Sequence, residues 1–77
     1  MSRVLHIRNY GVYVNDERGA QHRLPHAHIK NRGTRIASVF LVTLTVFNEV
    51  ESVPADLLYL ISANVDGLLA EWNRLNS

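Results

Sequence analysis

A long apolar stretch between residues 35 and 47 is the feature that most constrains how this chain can fold. From Val39 to Phe47 almost every residue is β-branched or aromatic, a composition that predicts a strand. Both faces of this strand would be apolar, and a single helix can cover only one of them. We therefore expect either a dimer that covers the second face or the strand edge, or a curled sheet whose N-terminal strands cover it.

Three shorter strands precede this stretch. They are predicted at residues 4–7, 12–14 and 26–30, and turns or loops are predicted at 9–11, 15–19 and 31–33. Pro25 disfavours helical backbone in the residue before it, which suits entry into the third strand. Gly33 can supply the positive φ that a tight hairpin needs before the long strand begins.

The C-terminal part of the chain has the pattern of an amphipathic helix over about residues 54–75. Pro54 suits the first helical turn, and Asp56 lies where the helix dipole favours a negative charge. Gly67 lies inside the pattern and costs about 1 kcal/mol relative to alanine, so the segment 64–67 either bends the helix or splits it; we expect one helix. The apolar stripe, which we expect to be core, comprises Leu57, Leu58, Ile61, Val65, Leu68, Leu69, Trp72 and Leu75.

Length and composition indicate a small α+β protein. The chain has 77 residues, which predicts a single domain over 1–77 with a small antiparallel sheet of three to four strands packed by one C-terminal helix. It has no cysteine, so any divalent metal would be held by imidazole and carboxylate groups. No organic cofactor is expected. The first residues lack the apolar stretch of a signal peptide, and we expect a cytoplasmic protein without membrane contact.

The charges are unevenly distributed along the chain. Residues 1–35 hold seven of the eight Lys and Arg residues and two of the seven acidic ones, whereas residues 36–77 hold one basic and five acidic residues. The net charge of +1 conceals this asymmetry. A basic N-terminal half predicts an anionic partner, for which RNA is a candidate.

Three of the four histidines lie within the basic half between residues 22 and 28. In a strand over 26–30, His26 and His28 share one face with Lys30, while Ala27 and Ile29 face the core. The two histidines are then about 6.6 Å apart at the backbone, so their side chains can converge on one metal ion or one phosphate. His22 lies in the preceding loop and can supply a third group.

Three interpretations fit this segment. The first is a metal site formed by His22, His26 and His28, with Asp16, Glu17 or water as the fourth ligand. The second is general acid–base catalysis by His26 or His28 on an RNA phosphodiester. The third is a structural role for the histidines, without chemistry. Two interpretations also fit Tyr10 and Tyr13, which either pack within the protein or stack on RNA bases. In the second interpretation the phosphates are bound by Arg23, Lys30, Arg32 and Arg35.

Several of these motifs resemble a small bacterial family catalogued as domain of unknown function number forty-one sixty. The matching segments are Tyr10-Gly11-Val12-Tyr13-Val14, Asn15-Asp16, His22, Pro25-His26-Ala27-His28-Ile29 and Leu68-Leu69-Ala70-Glu71-Trp72, which together extend over nearly the whole chain. The family usually has Asn-Asp-His without a break, whereas residues 17–21 separate Asp16 from His22 here. It also tends to have Pro-Pro before the first histidine, where this chain has Leu24-Pro25.

The resemblance implies a role in a small paired gene module of the toxin–antitoxin kind. Our leading prediction is a small component of such a module whose basic, histidine-containing face contacts RNA, with ribonuclease activity as an open question. One alternative is a non-enzymatic protein-interaction module, which forms a homo-oligomer or binds a small cognate protein through the long apolar strand and the Leu/Trp helix. The other is a metal-stabilised regulatory domain.

Overall fold

The structure, a computed structural model, describes residues 2–18 and 24–77, and a five-stranded antiparallel sheet forms its centre. The strands are ordered in the sheet as they are in the chain. They are β1 (Ser2–Ile7), β2 (Tyr10–Val14), β3 (His26–Asn31), β4 (Thr34–Phe40) and β5 (Val46–Phe47), followed by helices α1 (Ala55–Ala63) and α2 (Val65–Asn76). The predicted α+β class is confirmed, but the described residues form five strands where three to four were expected, and two helices where one was expected.

The hairpin between β3 and β4 follows from its two turn residues. Arg32 and Gly33 both have positive φ, at 53° and 84°. A two-residue hairpin loop with this backbone twist matches the twist of the strands it connects, and the glycine adopts it without steric cost. The Arg32 N–H also donates to the Asn9 carbonyl at 2.8 Å, which ties this turn to the one between β1 and β2.

The prediction of one long strand from 35 to 47 was wrong, because the chain turns back after Phe40. The N–H of Phe40 donates to the Thr45 carbonyl at 2.9 Å, and the N–H of Leu44 donates to the Phe40 carbonyl at 2.8 Å. Leu44 has φ 61°, and Val42 is 74% exposed at the turn. The second apolar face that favoured a dimer is therefore much smaller than the sequence indicates.

Both helices pack on one face of the sheet and form the core with it. The predicted inward pair, Ala27 and Ile29, is fully buried there. A bulge in the pairing of β3 with β4 leaves Ile36 without a direct partner and allows Ile36 and Ala37 to be buried together. The core residues are Val12, Val14, Ala27, Ile29, Ile36, Ala37, Val39 and Leu41 from the sheet side, and Leu57, Ile61, Leu68 and Trp72 from the helices.

The expected single helix is interrupted at Asn64, not at Gly67. Asn64 has φ −116° and ψ 17°, outside the helical region, and its N–H donates to the Ile61 carbonyl at 3.1 Å. Its side-chain amide donates to the Leu60 carbonyl at 2.8 Å, so the side chain satisfies a carbonyl that the broken helix leaves free. Gly67 lies within α2 in open space. Neither helix in the described part of the chain has the length and apolar character needed to cross a membrane.

Candidate functional site

The sheet face opposite the one that packs on the helices carries the predicted histidines, and α2 reaches this face at His26, whose ring lies 5.0 Å from that of Trp72. In β3, His28 lies between Tyr13 of β2 and Ser38 of β4, and His26 pairs with Phe40. The pairing register places Lys30 and Arg35 side by side one row further on, as the strand alternation predicted for Lys30. We call this surface the open face; its residues are Arg3, His6, Tyr13, His26, His28, Lys30, Arg35, Ser38, Phe40 and Phe47.

Both histidines converge on the carboxylate of Glu17, in the loop after β2. Glu17 Oε1 lies 3.2 Å from His28 Nε2 and 3.4 Å from His26 Nε2. Within the described residues these three side chains can each offer one ligand atom, and the three atoms lie within 4.8 Å of one another. We call this group the His–Glu–His cluster.

The remaining ring nitrogens of the cluster are fixed by hydrogen bonds. His26 Nδ1 donates to the Leu24 carbonyl at 2.7 Å, and His28 Nδ1 lies 3.0 Å from Ser38 Oγ. The His26 ring also contacts aromatic neighbours, with centroid distances of 5.0 Å to Trp72 and 5.9 Å to Phe47. Its side chain is only 9% exposed, against 20% for His28. His26 is therefore held rigidly, and His28 is the more accessible ring.

Glu17 is positioned by Asn76, near the end of α2. Its backbone N–H donates to Asn76 Oδ1, while Asn76 Nδ2 donates to the carbonyls of Asn15 and Trp72, each at 3.0 Å. The buried amide of Asn76 thus fastens the loop after β2 to the helix end. Sequence reasoning missed Asn76 altogether, because an asparagine at the end of a helix carries no signal of a partner 59 residues earlier.

The cluster borders a cavity of about 380 Å³. Arg35 is the cationic residue among those that line it, and its guanidinium donates to the Asn48 carbonyl at 3.1 Å. The cavity therefore combines a His–carboxylate group with a positive charge. Its lining residues are Glu17, His26, His28, Arg35, Ser38, Phe47 and Asn48.

The other predicted site residues are distributed as follows. Lys30 lies on the open face with its ammonium 4.8 Å from the Tyr13 ring centre, in cation–π contact, whereas Arg32 lies exposed in the β3–β4 turn and outside the cavity lining. Asp16 does not join the cluster, since it pairs with Arg18 at 2.7 Å. That hydrogen bond lowers the pKa of the Asp16 carboxyl to about 2. His22 and Arg23 lie outside the described residues.

The structure buries part of the apolar surface that was predicted to bind a protein partner. Leu68 and Trp72 of the apolar helix stripe are buried in the core, as expected for a core stripe, and so they are not available to a partner. A second cavity of about 250 Å³ borders the turn after β4 and is lined by Leu24, Pro25, Phe40, Val42 and Thr43. If the protein is an interaction module, this cavity is the apolar surface left for a partner.

Comparison of the chain with protein-family models, with curated proteins and with solved structures found no match. The resemblance drawn from the Pro-His-x-His and Leu-Leu-x-x-Trp motifs therefore stays a prediction.

Proposed function

We propose that the protein is one component of a toxin–antitoxin-like module and that its open face binds single-stranded RNA. The observation that carries this proposal is the grouping of cationic and aromatic side chains on the sheet face opposite the helices. Arg3, Lys30 and Arg35 supply positive charge there, and Tyr13 and Phe47 supply aromatic rings. Single-stranded RNA is recognised by such combinations, because phosphates attract the cations while unstacked bases stack on aromatic rings.

The two neighbouring cations Lys30 and Arg35 provide the sharpest test of RNA binding. We expect the double variant Lys30→Gln/Arg35→Gln to bind a 12-nucleotide single-stranded RNA at least tenfold more weakly. Loss of two phosphate contacts should also reduce the slope of log affinity against log salt by about 1.4, since each contact to a single strand contributes about 0.7. Fluorescence anisotropy over a range of salt concentrations measures both quantities.

The matched control removes two cations elsewhere on the surface. Arg8 and Arg74 are exposed and form ion pairs with Asp56 and Glu71, away from the cavity. The variant Arg8→Gln/Arg74→Gln has the same net charge as the test variant, and we expect it to retain most of the affinity and the salt slope. Equal weakening in both variants, or an unchanged slope in the test variant, would contradict a binding site on the open face.

Cleavage of the bound RNA is the finer part of the proposal. Imidazole groups exchange protons near neutral pH, and in this cluster His28 is the ring that a phosphate can reach more easily. Glu17 would orient it, and His26 would support that arrangement. In the presence of a chelator, we expect the double variant His26→Ala/His28→Ala to lose RNA cleavage and any growth arrest that expression causes, with the far-ultraviolet circular dichroism spectrum unchanged. Cleavage at the original rate in this variant would contradict the catalytic role.

A further inference from the structure

The His–Glu–His cluster presents two nitrogens and one oxygen to a common point. We propose that Glu17, His26 and His28 bind one zinc ion, with the fourth coordination position open to the cavity. This inference does not depend on RNA binding. It uses the Nε2 atoms that proton transfer would also use, so the two properties are measured separately: cleavage with chelator present, and metal binding with RNA absent.

The hydrogen bond of His26 indicates that a positive charge between the ligand atoms would stabilise the cluster. A backbone carbonyl can only accept, so the bond to Leu24 places the proton of a neutral His26 ring on Nδ1. Nε2 then carries a lone pair, and it lies 3.4 Å from a carboxylate oxygen that is also an acceptor. Two acceptors facing each other beside a buried ring are unfavourable unless a positive charge lies between them. A metal ion bound to His26 Nε2 and Glu17 Oε1 removes this conflict, and His28 Nε2, 3.2 Å from the same carboxylate oxygen, is placed to join it as a third ligand.

The separations within the cluster match a tetrahedral ion. Zinc lies about 2.0–2.2 Å from imidazole nitrogen and carboxylate oxygen, which places neighbouring ligand atoms about 3.3–3.6 Å apart in a tetrahedron. Glu17 Oε1 is 3.2 Å from His28 Nε2 and 3.4 Å from His26 Nε2. The third separation, between the two nitrogens, is no more than 4.8 Å. A bound ion would draw these two nitrogens together, to the edge length of a tetrahedron.

The surroundings of the cluster also suit a metal. Imidazole ligands in metal sites commonly donate their second N–H to a carbonyl or another oxygen, which fixes the ring and raises its basicity. The Leu24 carbonyl has this role for His26, and the Ser38 hydroxyl is placed to accept from His28. The rings of Trp72 and Phe47 close one side with apolar surface. Two imidazoles and one carboxylate are a ligand set that zinc uses in sites with an open position.

Metal titrations of tag-free, chelator-treated protein test the proposal. We expect one equivalent of Zn²⁺ to bind by calorimetry, and one equivalent of Co²⁺ to give the visible absorption of a tetrahedral site. Zinc at 100 times its Kd should raise Tm by about 10 °C or more, because it binds the folded state. The test variants are His28→Ala and Glu17→Gln, whose side chains are partly exposed, so that each variant can fold without its ligand group.

We expect each test variant to lose more than about 100-fold in zinc affinity, since loss of an outer partner alone costs about 10–100-fold. The matched controls are His6→Ala, an exposed histidine in β1, and Asp16→Asn, a carboxylate one residue from Glu17 that pairs with Arg18. Both should bind zinc as the parent does. Failure of the parent to bind a stoichiometric ion, or equal affinity in the folded test variants and the parent, would overturn the proposal. A circular dichroism melt of every variant shows that it is folded before binding is measured.

Discussion

Replacement of Trp72 by alanine is expected to lower the free energy of unfolding by about 3–5 kcal/mol, the range for removal of a large buried aromatic ring. Trp72 is 4% exposed and belongs to the core, and its ring lies against His26. A domain of this size has a total stability of only about 4–12 kcal/mol. The variant should therefore unfold at much lower urea concentration, and a substantial fraction of it should be unfolded at 37 °C.

The control for this prediction is an aromatic residue that lies on the surface. Tyr59 in α1 is 75% exposed, and Tyr59→Ala should change the free energy of unfolding by no more than about 0.5 kcal/mol. Urea denaturation followed by far-ultraviolet circular dichroism measures both variants on the same scale. Similar losses in the two variants, or a loss below about 1 kcal/mol for Trp72→Ala, would show that the Trp72 ring does not close the core as described.

The parts of the fold that sequence predicts well are those encoded by local periodicity. The alternation over 26–30 predicts correctly that Ala27 and Ile29 are buried and that His26 and His28 share the other face. The turn with Gly33 is also predicted from local sequence, because glycine adopts a positive φ without steric cost. The steps of three and four in the helical region likewise identify Leu68 and Trp72 as core residues.

The parts that sequence predicts poorly depend on where an element stops. Nothing in the composition of Val39 to Phe47 distinguishes a strand from a strand and a turn, because β-branched residues occur throughout. The chain turns after Phe40 and β5 pairs with β4, but residues 41–45 contain no glycine, proline, asparagine or aspartate to mark the turn in the sequence. The local sequence likewise does not predict that the helix is interrupted at Asn64. Asparagine is tolerated inside helices, and here its side chain satisfies the Leu60 carbonyl and so accommodates the interruption.

The residues of the candidate site also differ in how well the sequence predicts them. His26 and His28 are two residues apart, and strand geometry alone predicts that they face the same way. Glu17 was one of two acidic residues that the sequence offered as a further ligand, and the local pattern could not separate it from Asp16. The separation comes from Arg18, which pairs with Asp16, and from Asn76, which holds the backbone of Glu17. Such long-range contacts leave no periodic trace in the sequence.

The Asn76 side chain is expected to contribute both to the free energy of unfolding and to the zinc affinity of the His–Glu–His cluster. In Asn76→Ala, the hydrogen bonds of its amide to Glu17, Asn15 and Trp72 are lost, and the loop after β2 is released from α2. We expect the free energy of unfolding to fall by about 1–3 kcal/mol, because the partly buried groups of the loop lose their partners. Zinc affinity should fall about 10–100-fold, as it does when a partner that orients a ligand is removed.

Asn73→Ala provides the matched control, since Asn73 is an exposed asparagine on the same helix. It should change neither the free energy of unfolding by more than about 0.5 kcal/mol nor the zinc affinity. Urea denaturation in chelator measures the first quantity, and zinc calorimetry on the folded variant measures the second. A variant Asn76→Ala that is destabilised but binds zinc like the parent would mean that Glu17 reaches the histidines without the Asn76 contact. Loss of affinity together with stability, absent from Asn73→Ala, would assign Asn76 as the residue through which the end of α2 positions Glu17.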